Sequence, residues 1–113
     1  MKKIEAIIRP EKLDTVRLAL EETGYPGVTI TEIKGHGMQK GTFQKWRGDE
    51  YKVEFLSKLK IEIICPDRDE EKIVKALLAA AFTGGVGDGK IFIYDVAQAV
   101  RIRTRERGDK ALV

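Results

Sequence analysis

A chain of 113 residues is long enough to bury one hydrophobic core without disulfide or metal staples, and a single domain over 1–113 is expected. Its 21 Lys and Arg against 18 Asp and Glu leave a net charge of +3, with both signs scattered, which removes overall charge as a reason to expect nucleic-acid binding. The lone Cys65 excludes an internal disulfide. No apolar run reaches the length of a membrane span or forms a signal-peptide core behind Met1-Lys2-Lys3-Ile4, so a reduced, cytoplasmic setting is expected.

Lys3 to Arg9 alternates with Ile4, Ala6 and Ile8 on one side, the period of a half-buried strand, and Pro10 ends it. Proline also suits the first helical position, and Leu13, Val16, Ala19 and Leu20 follow at helical spacing up to Gly24, a C-terminal stop. The β-branched run Val28-Thr29-Ile30-Thr31-Glu32-Ile33 reads as a second strand ending near Gly35-His36-Gly37. From Met38 to Phe55 neither period survives, which predicts a long exposed loop of a length that is usually functional. Phe43, Trp46 and Tyr51, stranded there among charges, point to a surface that meets a partner; a β-hairpin extension with ordinary aromatic packing is the alternative.

Leu59 to Cys65 alternates as a third strand closed by Pro66. A second helix follows, with Asp67 and Glu70 spaced as a capping box and Ile73, Val74, Leu77, Leu78 and Ala81 in one apolar stripe. Ile91 to Val96 makes the fourth strand. The order βαββαβ predicts an α/β (α+β) fold of the ferredoxin-like kind, an antiparallel four-stranded sheet with both helices on one face. In the fourth strand Ile91 and Ile93 fall on one side and Phe92, Tyr94 and Val96 on the other. Helices cover only one of these, so the open face is expected to pack against further copies of the chain.

Between the second helix and the fourth strand lies Thr83-Gly84-Gly85-Val86-Gly87-Asp88-Gly89-Lys90. Its glycines free the backbone to turn amides toward an anion and Lys90 adds a point charge at the rim, so residues 82–90 are expected to form a phosphate-binding loop. The spacing Gly84-x4-Gly89-Lys90 approaches a Walker A motif, but Ile91 stands where that motif needs a hydroxyl for magnesium. The loop also leaves a helix and enters a strand, the reverse of the Walker order, which excludes a P-loop hydrolase. A plain helix-to-strand connection remains the alternative. Farther on, Val100-Arg101-Ile102-Arg103-Thr104-Arg105 alternates apolar residues with arginines. Read as extended, it aligns three guanidinium groups at steps of roughly 6.7 Å, a spacing suited to the phosphates of a nucleotide; a charged, solvated edge strand is the alternative.

No set of side chains for covalent or acid–base chemistry accompanies this pattern. His36, the only histidine, has no motif-spaced partner for a triad or a zinc site. The competing class is a ferredoxin-like RNA-binding module, in which aromatics on the central strands stack bases; here the third strand offers Ile61, Glu62 and Ile63. A nucleotide-triggered binding protein fits better than an enzyme or an RNA reader.

The same residues carry a resemblance. Thr83 through Ile91 matches the C-terminal signature of the PII nitrogen-regulatory signal-transduction family. Gly35-His36-Gly37-Met38-Gln39-Lys40-Gly41 and Arg47-Gly48-x-x-Tyr51 resemble its T-loop, here 38–55, and Arg101-Ile102-Arg103-Thr104, in the C-terminal segment 97–113, resembles its clamp. The resemblance covers essentially the whole chain. It implies a homotrimer with three nucleotide sites between subunits, binding ATP or ADP competitively and 2-oxoglutarate beside MgATP, with no nucleic acid involved. Residue by residue it implies Gly87, Asp88, Gly89 and Lys90 around the phosphates, Arg101 and Arg103 closing them, Thr29, Glu62 and Ile64 near the adenine, and Gly37, Met38 and Gln39 at the nucleotide. Gln39 would also hold the Mg that 2-oxoglutarate chelates, with Lys40, Gly41 and Gly87 beside that effector and Lys58 facing its distal carboxylate. Tyr51 would be the site of uridylylation or adenylylation. With Arg47 it would meet targets such as an ammonium transporter, a glutamine synthetase-modifying enzyme or an arginine-pathway kinase, so that the chain reaches a membrane only through a transporter. Three positions depart from the family pattern: Met38 replaces a commonly basic residue, Gly85 a frequent lysine and Trp46 a usual tyrosine.

Overall fold

Alternation along two strands decides the architecture. Ile4, Ala6 and Ile8 in one, and Leu59, Ile61, Ile63 and Cys65 in the other, are all buried on a common face. The computed structural model describes residues 1–25, 27–46 and 49–113, and for 36–46 and 49–55 the backbone alone. In chain order it contains β1 (Lys2–Ile8), a 3-10 turn (Pro10–Lys12) into α1 (Leu13–Glu22), β2 (Thr29–Trp46) and β3 (Asp49–Cys65). A second 3-10 turn (Asp67–Asp69) leads into α2 (Glu70–Ala81), then β4 (Lys90–Asp95) and a closing 3-10 stretch (Gly108–Leu112). The strands form one antiparallel sheet in the order β2-β3-β1-β4, the ferredoxin-like arrangement expected from the element order.

Val16 and Leu20 of α1 and Ile73, Leu77 and Ala80 of α2 close over the buried strand residues to complete one core. Burying each large aliphatic side chain contributes about 1.5–3 kcal/mol. The first helix ends where Gly24 takes φ +93°. Its N–H donates to the Glu21 carbonyl at 3.0 Å and the Tyr25 N–H to the Leu20 carbonyl at 3.1 Å, a paired closure that satisfies carbonyls the helix leaves open. Tyr25 then packs against the core, and its hydroxyl donates to Asp69, tying the end of α1 to the start of α2. The capping box expected from Asp67 and Glu70 does not form. Neither the turn nor α2 has a side-chain cap: Asp67 lies within the turn, whose cap position is Pro66, the cap position of α2 is Asp69, and Asp67 pairs instead with the N-terminal ammonium at 3.0 Å.

On the opposite sheet face, the register aligns Thr31, Lys60, Ile7 and Lys90 in one row across all four strands and Thr29, Glu62, Glu5 and Phe92 in the next. Ile61 and Ile63 therefore belong to the core, and only Glu62 of the three residues weighed for base stacking faces outward. The fourth strand is apolar on both sides, as expected, and the helices shelter it poorly. Ile91 packs against the core, while Phe92, Ile93 and Tyr94 are 44%, 46% and 45% exposed.

The segment 38–55, read as a loop without regular structure, is a correction. β2 and β3 continue past the core as a two-stranded ribbon, paired from Thr29↔Glu62 to Lys40↔Tyr51 and again from Gln44↔Tyr51 to Trp46↔Asp49. Gly41, Thr42 and Phe43 fall between these two registers, a bulge opposite Tyr51. Hydrophobic period reports burial, whereas an antiparallel ladder grows by backbone hydrogen bonds once its inner part is in register, so the ribbon leaves no such period in the sequence. Arg47 and Gly48 lie outside the described residues, as does Pro26. Among the described residues no helix is long and apolar enough to cross a membrane.

Candidate functional site

The glycine loop is built against the C-terminal end of β1. Phe82 leaves α2 in an extended conformation, and the chain then curls around the Asp88 carboxylate. That group accepts hydrogen bonds from the Thr83 N–H at 2.8 Å, the Gly84 N–H at 2.9 Å and the Thr83 hydroxyl, so the loop's end is fastened to its beginning. Arg9 Nε donates to the same carboxylate at 3.0 Å. Together the Thr83 hydroxyl, the Thr83 amide and the Arg9 guanidinium hold the Asp88 carboxyl well below the usual carboxylate range.

Two cations also grip the loop's carbonyls. Arg9 Nη2 donates to the Val86 carbonyl at 2.8 Å, and the Lys58 ammonium, from β3, donates to the Gly87 carbonyl. In a trans peptide the carbonyl and the following N–H point in opposite directions. With the Val86 carbonyl turned toward the Arg9 guanidinium, the Gly87 amide turns away from it and makes no hydrogen bond among the described residues, while Val86 and Gly87 form a turn that directs the Asp88 N–H back toward Gly85. A free glycine amide turned away from the cation that holds its own peptide is a donor an anion can use. Lys90 follows, exposed, paired with Ile7 on the sheet face opposite the helices.

Thr29 and Glu62 are cross-strand partners on that same face, and Ile64 lies one step along it. Glu62 is partly engaged, with its carboxylate 3.3 Å from Lys60 Nζ. The sheet thus carries Lys90, Thr29, Glu62 and Ile64 on one surface.

The arginine ladder is a second correction. Val100 pairs with Arg107, the Arg101 N–H donates to the Glu106 carbonyl at 2.9 Å and the Arg105 N–H to the Arg101 carbonyl at 2.8 Å, so residues 101–106 form a tight turn with Arg105 at φ +64°. Alternating residues share a face only in an extended chain, and here they do not. Arg101 is engaged as well, with Nη1 2.9 Å from Glu106 Oε1 and Nη2 2.9 Å from the Lys110 carbonyl. Arg103 is exposed at the turn. This hairpin lies beyond Asp95, at the end of the sheet where Arg68 meets Asp109 at 3.7 Å, with the full length of β4, about 20 Å, between it and the glycine loop. One chain does not bring Arg101 and Arg103 to Gly87 and Lys90.

The side chains of Met38, Gln39, Lys40 and Tyr51 lie outside those described, as do Arg47 and any side-chain contact around Gly37 and Gly41; their backbone places all but Arg47 on the ribbon. Arg9 is the residue that sequence reasoning missed. Its signal was topological: the β1–β4 register pairs Ile7 with Lys90, and two further steps bring Arg9 opposite Asp88.

The comparisons with known proteins converge on one family. The family model for the nitrogen regulatory protein P-II matches residues 1–106. The chain belongs to the nitrogen regulatory protein P-II family. It is 54% identical over 112 residues to the nitrogen regulatory protein P-II of Microchaete diplosiphon and 54% identical over 112 residues to the nitrogen regulatory protein P-II 1 of Escherichia coli K12, covering 99% of this chain and 100% of each relative. Among solved structures it resembles Arabidopsis thaliana PII bound to citrate, with a TM-score of 0.81 and 34% identity, over 98% of this chain and 88% of that one. P-II relatives are regulatory proteins rather than enzymes, and this member is a nitrogen-regulatory signal transducer.

Proposed function

We propose that this P-II protein senses adenine nucleotides at the glycine loop, ATP and ADP competing for one site, with 2-oxoglutarate binding beside MgATP. The observation that carries this reading is the loop itself: the Val86 and Gly87 carbonyls held by Arg9 and Lys58, the Gly87 amide free, and Lys90 at the rim. A free backbone amide among neighbouring cationic side chains favours an anion such as the phosphates of a nucleotide. Thr29, Glu62 and Ile64, on the sheet face that Lys90 shares, are positioned to receive the base. Lys58, whose ammonium donates to the Gly87 carbonyl, is assigned the distal carboxylate of 2-oxoglutarate. The magnesium would be carried by the ATP phosphates and the 2-oxoglutarate carboxylate, with Gln39 beside it. The plant relative's binding of citrate supports an organic acid anion as an effector in this fold.

The separation of Arg101 and Arg103 from the loop makes the site intermolecular in this reading. A homotrimer supplies the loop from one copy and the clamp from the next, and the unsheltered apolar β4 is the surface that seals the copies together. The ribbon 38–55 is the output, read by an ammonium transporter or a glutamine synthetase-modifying enzyme through Arg47 and Tyr51, with nucleotidylation at Tyr51 as a block. Complementation tests this arrangement. Lys90→Ala and Arg103→Ala, each expected alone to bind ATP more than tenfold more weakly, are unfolded and refolded together; recovery of a fraction of sites with wild-type ATP affinity is expected. No recovery in mixed oligomers contradicts a site shared between copies.

A further inference from the structure

Arg9 reaches the glycine loop from the end of β1, on the sheet face that Ile7 and Lys90 share, and its two contacts there have so far been given no part in receiving a ligand. It follows β1 directly, is held extended with ψ 138° ahead of Pro10, and so approaches the loop from a fixed base. Its guanidinium makes two contacts of different kinds, an ion pair to Asp88 Oδ1 at 3.0 Å and a hydrogen bond from Nη2 to the Val86 carbonyl at 2.8 Å. A Cβ at position 85 would stand 3.1 Å from Nη2 and one at position 87 would stand 3.3 Å from it. The absence of a side chain at both glycines therefore leaves the guanidinium its space.

We propose that Arg9 is the positioning residue of the glycine loop, fixing the Val86–Gly87 peptide so that its amide faces an incoming phosphate. The inference rests on the nucleotide reading above. Without the guanidinium the Val86 carbonyl has no donor among the described residues, and the peptide is free to turn that carbonyl toward an incoming anion, which its partial negative charge opposes. Asp88 at the same time loses the one donor that lies outside its own loop. Its carboxylate is already spent on Thr83, Gly84 and Arg9, so it shapes the loop rather than touching the ligand. Lysine cannot replace arginine here, because a point ammonium reaches one of the two acceptors where a planar fork reaches both.

Arg9→Met and Arg9→Lys test this by two readouts. Hydrogen exchange of the amides at 83–89 is followed in the ligand-free protein, and ADP affinity is measured by calorimetry with Lys90→Ala for comparison. In Arg9→Met, loop exchange is expected to quicken by about tenfold or more while β1 and β4 keep their protection, and ADP affinity is expected to fall by about tenfold, with Arg9→Lys between it and wild type. Wild-type exchange in the loop overturns the proposal. Faster exchange spread evenly over β1 and β4 also overturns it, by making Arg9 a general stabiliser. A wild-type protein that binds no nucleotide overturns the nucleotide reading instead, and loop exchange then still decides the role of Arg9.

Discussion

A Cβ added to Gly89 would lie 1.7 Å from the carbonyl oxygen of Ile7. The last turn of the loop presses its backbone onto β1, immediately before Lys90 pairs with Ile7, and only glycine fits there. Gly24 offers a control, since it has a similar φ of +93° with nothing within 4 Å of its Cβ position, against +94° at Gly89. Gly24→Ala is expected to cost about 1–2 kcal/mol, the strain of the left-handed region alone. Gly89→Ala must also move backbone, and a larger loss with disturbed β1–β4 pairing is expected. Chemical denaturation of both variants checks the ordering; equal losses would mean that the close approach at Gly89 relaxes without cost.

Lys90→Ala and Arg103→Ala should each remove a charge-assisted hydrogen bond to phosphate. Such bonds contribute about 1.5–3 kcal/mol, more than tenfold in ATP affinity. Arg101→Ala is expected to weaken binding too, but also to loosen the C-terminal turn, because Arg101 bonds Glu106 and the Lys110 carbonyl. Calorimetry on the three variants, with exchange at 100–110 as the structural readout, separates these effects. Unchanged affinity in both Lys90→Ala and Arg103→Ala removes these residues from the site.

What the sequence disclosed follows what burial disclosed. The strands around Ile4 and Ile61 and the helices around Leu20 and Ile73 were legible because one face of each is packed. The ribbon from Met38 to Phe55 was not, since backbone pairing alone leaves no periodic trace. The arginine segment misled for the opposite reason. Val100, Ile102 and their flanking arginines imitate a strand's alternation, yet Ile102 is 96% exposed and the chain turns there, the Thr104 hydroxyl accepting from the Glu106 N–H at 3.3 Å. The glycine loop was legible by composition, but its partners Arg9 and Lys58 become its neighbours only once the strand order is known.

Acid should destabilise the protein through three carboxylates. Asp88 is lowered chiefly by the Thr83 hydroxyl, Asp69 by the Tyr25 hydroxyl and Asp95 by the Lys2 ammonium. A carboxyl whose value is lower when folded contributes stability above its unfolded value, about 3.9, and loses it as pH falls. Tyr25 is pushed up to about 12, by burial first and the Asp69 carboxylate second, so its contribution is lost as pH rises past about 10. Melting temperatures are expected to be flat near neutrality and to fall below about pH 4 and above about pH 10. Tyr25→Phe should flatten the alkaline side and reduce the acid-side contribution of Asp69. A wild-type alkaline fall that persists unchanged in Tyr25→Phe would assign it to other groups.

Deleting Thr42 to Glu50 removes the bulge and the outer ribbon while leaving the loop, Arg9 and Lys58 in place. ATP affinity is expected to stay within a few-fold and partner binding to be lost. Differential contact at the ribbon base is enough to shift its conformers between ligand states, so exchange over 38–55 should differ between ADP and MgATP plus 2-oxoglutarate. Identical exchange in both states, or a shortened ribbon that still binds its partner, would take the ribbon out of the output.

Titration calorimetry with ATP, ADP and 2-oxoglutarate tests nucleotide sensing most directly. One ATP or ADP per chain is expected, each displacing the other, and 2-oxoglutarate should bind when MgATP is present and fail to bind with ADP. Absence of heat with either nucleotide, or 2-oxoglutarate binding indifferent to which nucleotide is bound, would contradict it.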